Sequence, residues 1–304
     1  MNQKEINKTK NIIMFIAPAL AIVTLFILLP LAMSMYNSLF DWNQMVKLGF
    51  VGLGNFKDLF FKFPYNERFS NALSNNAKWF LATMFLQNTF GLFFGYLLSR
   101  NIAGSNFFKR VFFLPVLFSI VAVGFLWGMY LKPDGLLNYF LKVLNLPQYQ
   151  RAWLGDAQYA NKALILVNIW RWVGFPSLVF LAAIDNIPED NIEAAYLDGA
   201  SSWTIFTKII FPLIIPSITI IFVLTTIGSL NVFEQIFTMT GVDGAPNYAT
   251  DTIGTLFYRT AFGSVDAGNP EVGMGSAISV VIYVLTFSIS LITIATSKTK
   301  EVEL

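Results

Sequence analysis

Runs of about 20 residues without a single charge recur along this chain, and no other feature limits its fold so strongly. A helix needs about 20 predominantly apolar residues to cross a hydrocarbon core roughly 30 Å thick. Six segments meet that requirement: 12–33, 79–98, 111–131, 163–184, 209–233 and 273–296, with Arg171 the one charge inside any of them. Hydrocarbon offers no partner to backbone N–H and C=O groups, so only helices and closed barrels can span it. The runs lack the period-two alternation of a barrel strand. The expectation is an all-α integral membrane protein with six transmembrane helices, forming a single domain over 1–304.

Composition narrows the chemistry. Of 304 residues 55% are hydrophobic and 12% charged, about half the charged share of a soluble domain. The chain has no cysteine, which excludes disulfides and thiolate metal sites. Nor does it have a histidine, so the commonest general base and metal ligand is missing. The net charge of +2 gives no reason to expect nucleic acid as a partner. No G-x-x-x-x-G-K-[ST] loop is present for nucleotide; Gly52-x-Gly54 and Gly273-x-Gly275 are only fragments of glycine patterns. The first apolar run exceeds a signal-peptide core, and Pro30–Tyr36 shows no small-x-small cleavage site, so it is expected to remain as a helix. Lys and Arg are divided almost equally between the two sets of loops. In one set, however, they crowd the helix ends in short segments, among them Lys4, Lys8, Lys10, Arg100, Lys109, Arg110 and Lys300. That favours cytoplasmic termini. Three long outer segments follow, approximately 34–78, 132–162 and 234–272, in which stretches such as Phe50–Phe60 read as interfacial helices or docking surfaces.

The segment 185–211, between the fourth and fifth runs, breaks the pattern. Asn186 and Glu189 have the spacing of a helix N-cap and its reciprocal partner, with Pro188 in the first turn. Gly199 is a natural left-handed terminator, and Ser201 or Ser202 can cap a second helix running toward Pro212. Asp185, Glu189, Asp190, Glu193 and Asp198 stand against Lys208 alone. An acidic inner loop runs against the positive-inside trend, so something other than membrane anchoring shapes it.

Glu193-Ala194-Ala195, then Gly199, then Ile209 and Pro212 match the E-A-A signature of permeases in binding-protein-dependent ATP-driven (ABC) importers. The stretch resembles the carbohydrate branch, typified by the maltose and glycerol-3-phosphate importers. The Gly52-to-Phe56 stretch, Phe112-Phe113-Leu114-Pro115, Asn168-Ile169-Trp170 and Pro246 add to that likeness. The resemblance implies a MetI-like permease fold with a cytoplasmic coupling helix, in the inner membrane of a bacterium and in contact with membrane lipid. It further implies a second permease subunit, two ATPase subunits that hold ATP and Mg, and an external solute-binding protein. Glu193 would meet a basic residue of the ATPase, with Ala194, Ala195, Asp198, Gly199 and Pro212 in the same coupling element. The expected cargo is a sugar, an oligosaccharide or a sugar phosphate.

Polar side chains inside the runs mark candidate solute contacts: Asn168, Arg171 and Trp172 on the fourth, and Thr225, Ser229 and Asn231 on the fifth. In the maltose importer one permease binds sugar near three such regions, and Asn168, Thr225 and Ser229 fall at corresponding positions. The third-run positions, near Val116 and Ile120, are apolar here. Hydrogen bonding between helices is the alternative role for these polar groups. Arg171 lies about two turns from the outer end of its run. That depth favours snorkelling to the headgroups; a place in a cavity would favour an anionic solute. Glu234, at the outer end of the fifth run, is expected to pair or face water. A carrier driven by an ion gradient is the alternative function, though it leaves the acidic loop unexplained, and no catalytic constellation supports an enzyme.

Overall fold

The computed structural model describes residues 3–100, 102–265 and 268–298; Lys300, used in the orientation argument, lies outside them. Among the described residues, four helices are long and apolar enough to cross a membrane: Ile13–Asn37, Tyr65–Ser99, Ala160–Asp185 and Val272–Thr296. Two further helix pairs qualify if each bent pair is one span, which brings the total to six. The chain divides into two compact units, 1–66 with 260–281 and 67–259 with 282–304.

In the first unit, Ile13–Asn37 is apolar on every side and has no buried residue in its most apolar window, the character of a helix bathed in lipid or covered by a partner. After it comes an antiparallel hairpin, Phe40–Asn43 with Val46–Phe50, an addition to the all-helical expectation. The Asn55 amide donates to Ser38 O at 2.8 Å and Phe40 O at 2.9 Å. It thereby ties the end of the first helix to the hairpin and gives the Gly52-to-Phe56 motif a structural reason. The Phe50–Phe60 stretch supplies the helix Gly54–Phe61.

In the second unit, Tyr65–Ser99 runs as one helix through a π-turn at Thr83–Gln87, so the second span begins well before residue 79. It packs on Gly174–Asp185 at close range. A Cβ on Gly91 would come within 2.8 Å of Pro176, and one on Gly95 within 2.8 Å of the Ser177 carbonyl. Small residues let membrane helices approach in this way. Gly174 itself lies against the Phe112 backbone, with no room for a Cβ.

The third and fifth runs are not straight helices. Ser105–Leu117 and Ile120–Tyr130 meet at 97°. Pro115 removes a backbone donor near the end of the first, and Ser119 starts the second as its N-cap, its Oγ accepting from Val121 N at 3.3 Å. In the fifth run, Ser202–Leu213 and Ile215–Leu230 meet at 66°. Ile214 forms the corner between Pro212 and Pro216, so the apolar helix begins at residue 215 rather than 209. Proline explains both sites, because it breaks the hydrogen-bond ladder where it enters.

A buried amide network joins several of these helices. Asn76 donates to Ser229 O at 2.9 Å and Leu230 O at 3.2 Å, and accepts from Ile253 N at 2.7 Å. Asn161 links Asn75 to Trp79. Beside this network, Arg259 grips Asp251 through two bonds of 2.5 Å, with the Thr255 hydroxyl donating to the same carboxylate at 2.8 Å. Burial holds the Asp251 carboxyl above its ordinary range, with the guanidinium and hydroxyl opposing that shift only in part.

Candidate functional site

The second unit contains a cavity of about 590 Å³. Five helical elements shape it: the middle of Tyr65–Ser99, the start of Ile120–Tyr130, the continuous helix 160–185, Ile215–Leu230, and the start of Glu234–Thr240. All six predicted solute-contact residues, Asn168, Arg171, Trp172, Thr225, Ser229 and Asn231, lie on its wall. Ile120, one of the two apolar third-run positions, also lines it.

The polar groups are held by the scaffold but not all saturated. Asn168 Nδ2 donates to Gln87 Oε1 at 3.4 Å, and Thr225 exchanges hydrogen bonds of 3.2 Å with Asn88. The Ser229 hydroxyl donates to Thr226 O at 3.2 Å, and Asn231 Nδ2 to Ile227 O at 2.8 Å. Gln235 donates to Leu164 O at 2.8 Å, while its Oε1 is buried without a partner. Trp172 stands edge-on to Phe175, ring centroids 6.4 Å apart, giving the wall aromatic surface beside the amides. Amides, hydroxyls and aromatic faces together are the chemistry that holds a polyhydroxyl ring.

Arg171, for which a place in a cavity was the alternative to snorkelling, lines the cavity wall. Its Nη2 donates to the Phe118 carbonyl at 3.1 Å, a carbonyl left free where the third run breaks. Its Cζ lies 5.0 Å from the Trp172 ring, and Nε is buried without a partner. The broken helix thus supplies an anchor that hydropathy could not reveal.

Gln87, Thr83 and Trp79 on the second-span helix, and Gln235 beyond the fifth, are lining residues that the sequence reading did not single out. Gln87 and Thr83 are polar positions inside an apolar run, the same signal that identified Asn168, and it was there to be used.

The acidic segment folds as Glu189–Leu197 followed by Ser202–Leu213. The Asn186–Glu189 cap does not form: Asn186 closes the preceding helix, and Pro188 takes the N-cap position without a side-chain bond. Gly199 has φ +77°. With Gly199 N on Tyr196 O at 3.0 Å and Ala200 N on Ala195 O at 2.9 Å, it completes a Schellman C-cap. Ser201, not Ser202, caps the second helix, its Oγ accepting from Thr204 N at 3.2 Å. One face of Glu189–Leu197 packs Ile192 and Ala195 onto a cluster of Ile184, Ile187, Ile205, Ile210 and Ile214. The other face exposes Glu193, Ala194, Asp198 and Gly199 together with Tyr196, Leu197 and Trp203. Ala195 therefore faces inward, and Pro212 stands apart at the 66° corner.

Residues 87–297 match the family described as the binding-protein-dependent transport system inner membrane component. The probable ABC transporter permease protein YurN of Bacillus subtilis (strain 168) is 32% identical over 98% of this chain and 100% of its own. The probable starch degradation products transport system permease protein AmyD of Thermoanaerobacterium thermosulfurigenes is 30% identical, covering 96% and 95%. A chain from the crystal structure of a bacterial ABC transporter involved in the import of the acidic polysaccharide alginate shares the fold. Its TM-score is 0.81 at 24% identity, covering 97% of this chain and 98% of that one.

Proposed function

The chain belongs to the inner membrane components of binding-protein-dependent transport systems, and on that premise we propose that its cavity passes a sugar-class solute and its acidic loop couples that passage to a separate ATPase. It is a membrane-spanning permease subunit of an ATP-driven importer, which displaces the ion-gradient carrier as a reading. The observation that carries the solute proposal is the convergence of Asn168, Thr225, Ser229, Asn231 and Gln87 beside Trp172 and Trp79 around one cavity of about 590 Å³. That volume is in the range of small-molecule sites. The relationship to a starch-degradation-product permease supports the sugar class.

In the proposed cycle the termini and the Glu189–Leu197 helix are cytoplasmic. ATP and Mg reside on two ATPase subunits, and Glu193 meets one of these through a charge-assisted contact. A second permease subunit completes the pathway, and an external binding protein delivers solute to the outer segments. The exposed Glu193, Tyr196 and Leu197 face supports the docking assignment.

The test is uptake of labelled sugars by proteoliposomes containing the whole complex, with wild-type chain or Asn168→Ala. Losing one neutral hydrogen bond should raise the half-saturating solute concentration about three- to tenfold. Unchanged uptake by Asn168→Ala and by a Thr225→Val/Ser229→Ala double variant would remove this cavity from the solute path.

A further inference from the structure

The cavity wall carries one cation and one anion, and they are not paired with each other. Arg171 comes from the helix Ala160–Trp172 and Glu234 from the start of Glu234–Thr240. Both line the same cavity, yet among the described residues no ion pair within 4.0 Å joins them. The Glu234 side chain is exposed. One arm of the Arg171 fork is committed to the Phe118 carbonyl at 3.1 Å, while its Nε is buried with no partner. Gln235, 3% exposed, adds an acceptor oxygen without a partner beside them. The other polar lining groups, Asn168, Gln87, Thr225, Ser229 and Asn231, are uncharged.

From this arrangement we infer that the cavity selects a neutral polyhydroxyl solute over an anionic one, with Glu234 as the residue that rejects anions and Arg171 as a donor to solute hydroxyls. The inference deepens the sugar-permease reading and rests on it. A hydroxyl both donates and accepts, so a solute hydroxyl can donate to the carboxylate or accept from the guanidinium without carrying a charge of its own. A phosphate or carboxylate on the solute would gain from Arg171 but meet Glu234 as a like charge on the same wall. Arg171 alone would suggest an anionic cargo, and Glu234 on the same wall reverses that conclusion.

The test uses the purified complex with its partner subunits but without the binding protein, so that this cavity and not the delivery protein is read. Trehalose and trehalose 6-phosphate serve as a neutral and anionic pair on one sugar skeleton, with affinities measured by calorimetry. The wild-type complex should prefer trehalose by about tenfold or more. Glu234→Gln, which keeps size and exposure, should abolish or invert that ratio. Arg171→Lys, which retains the charge but not the fork, should weaken trehalose binding and leave the phosphate disfavoured. A structural role for Glu234 would weaken both ligands alike and leave the ratio where it was. A preference for the phosphate in the wild type, or a ratio unmoved by Glu234→Gln, overturns the inference. If Asn168→Ala still weakens binding in that case, the sugar-cavity reading survives. Absence of binding by both probes, or binding indifferent to Asn168→Ala and Glu234→Gln together, overturns both.

Discussion

Arg259 and Asp251, 1% and 0% exposed, illustrate how costly a single charge is inside this protein. Each is tolerable because the other is there, with Thr255 on the same carboxylate and the Arg259 Nη1 also on Val242 O at 3.3 Å. Replacing Arg259 with Met keeps the bulk but strands the carboxylate, which should destabilise the fold by roughly 3–5 kcal/mol. An Asp251→Leu/Arg259→Met double variant should recover much of that loss, as read by thermal unfolding in detergent. If the single and double variants unfold alike, the charge pair is not what holds this corner. At the same scale, the cavity residues were legible because Asn168, Thr225 and Ser229 are polar groups inside apolar runs, which hydrocarbon does not tolerate without a reason. Asn75 and Asn76 escaped notice for the opposite reason. They sit in a polar stretch, Ser70 to Lys78, where an amide attracts no attention until the structure shows it buried against carbonyls far along the chain.

At the scale of elements, hydropathy located the spans well but said nothing of their continuity. A straight run and a broken one have the same composition, so 111–131 and 209–233 read as single helices although they turn by 97° and 66°. Local chemistry held the missing information: Pro115 before Ser119, and Pro212 with Pro216 around Ile214. The loop glycine was the converse case, since Gly199 was identified as a left-handed stop and occupies that conformation at φ +77°. Helix contacts depend on close approach as much as on hydropathy. Gly174→Ala places a methyl against the Phe112 backbone, where overpacking should cost about 1–3 kcal/mol. Gly128→Ala, which meets nothing within 4 Å, should leave the melting temperature unlowered. Equal melting temperatures for the two variants would contradict the close packing of helices 105–117 and 174–185.

For the molecule as a whole, the coupling proposal makes a prediction that separates assembly from folding. Glu193 is exposed, so Glu193→Ala should change folding stability by no more than about 0.5 kcal/mol while uptake falls and the ATPase subunit is lost on purification. Normal uptake by that variant would show that the loop does not carry the coupling. The loop also has a mechanical property that follows from its two attachments. Three residues, 186–188, join it to the helix that continues the Arg171 and Trp172 wall, and Ser202–Leu213 joins it to the wall of Thr225 and Ser229. Ile214, 1% exposed and wedged in the isoleucine cluster, makes the second joint a braced corner and not a loose hinge. Ser202–Leu213 meets Ile215–Leu230 at 66°, and Ile187, from the other attachment, packs in the same cluster as Ile214. One cluster of five isoleucines thus serves both attachments, a keystone set where two arches meet.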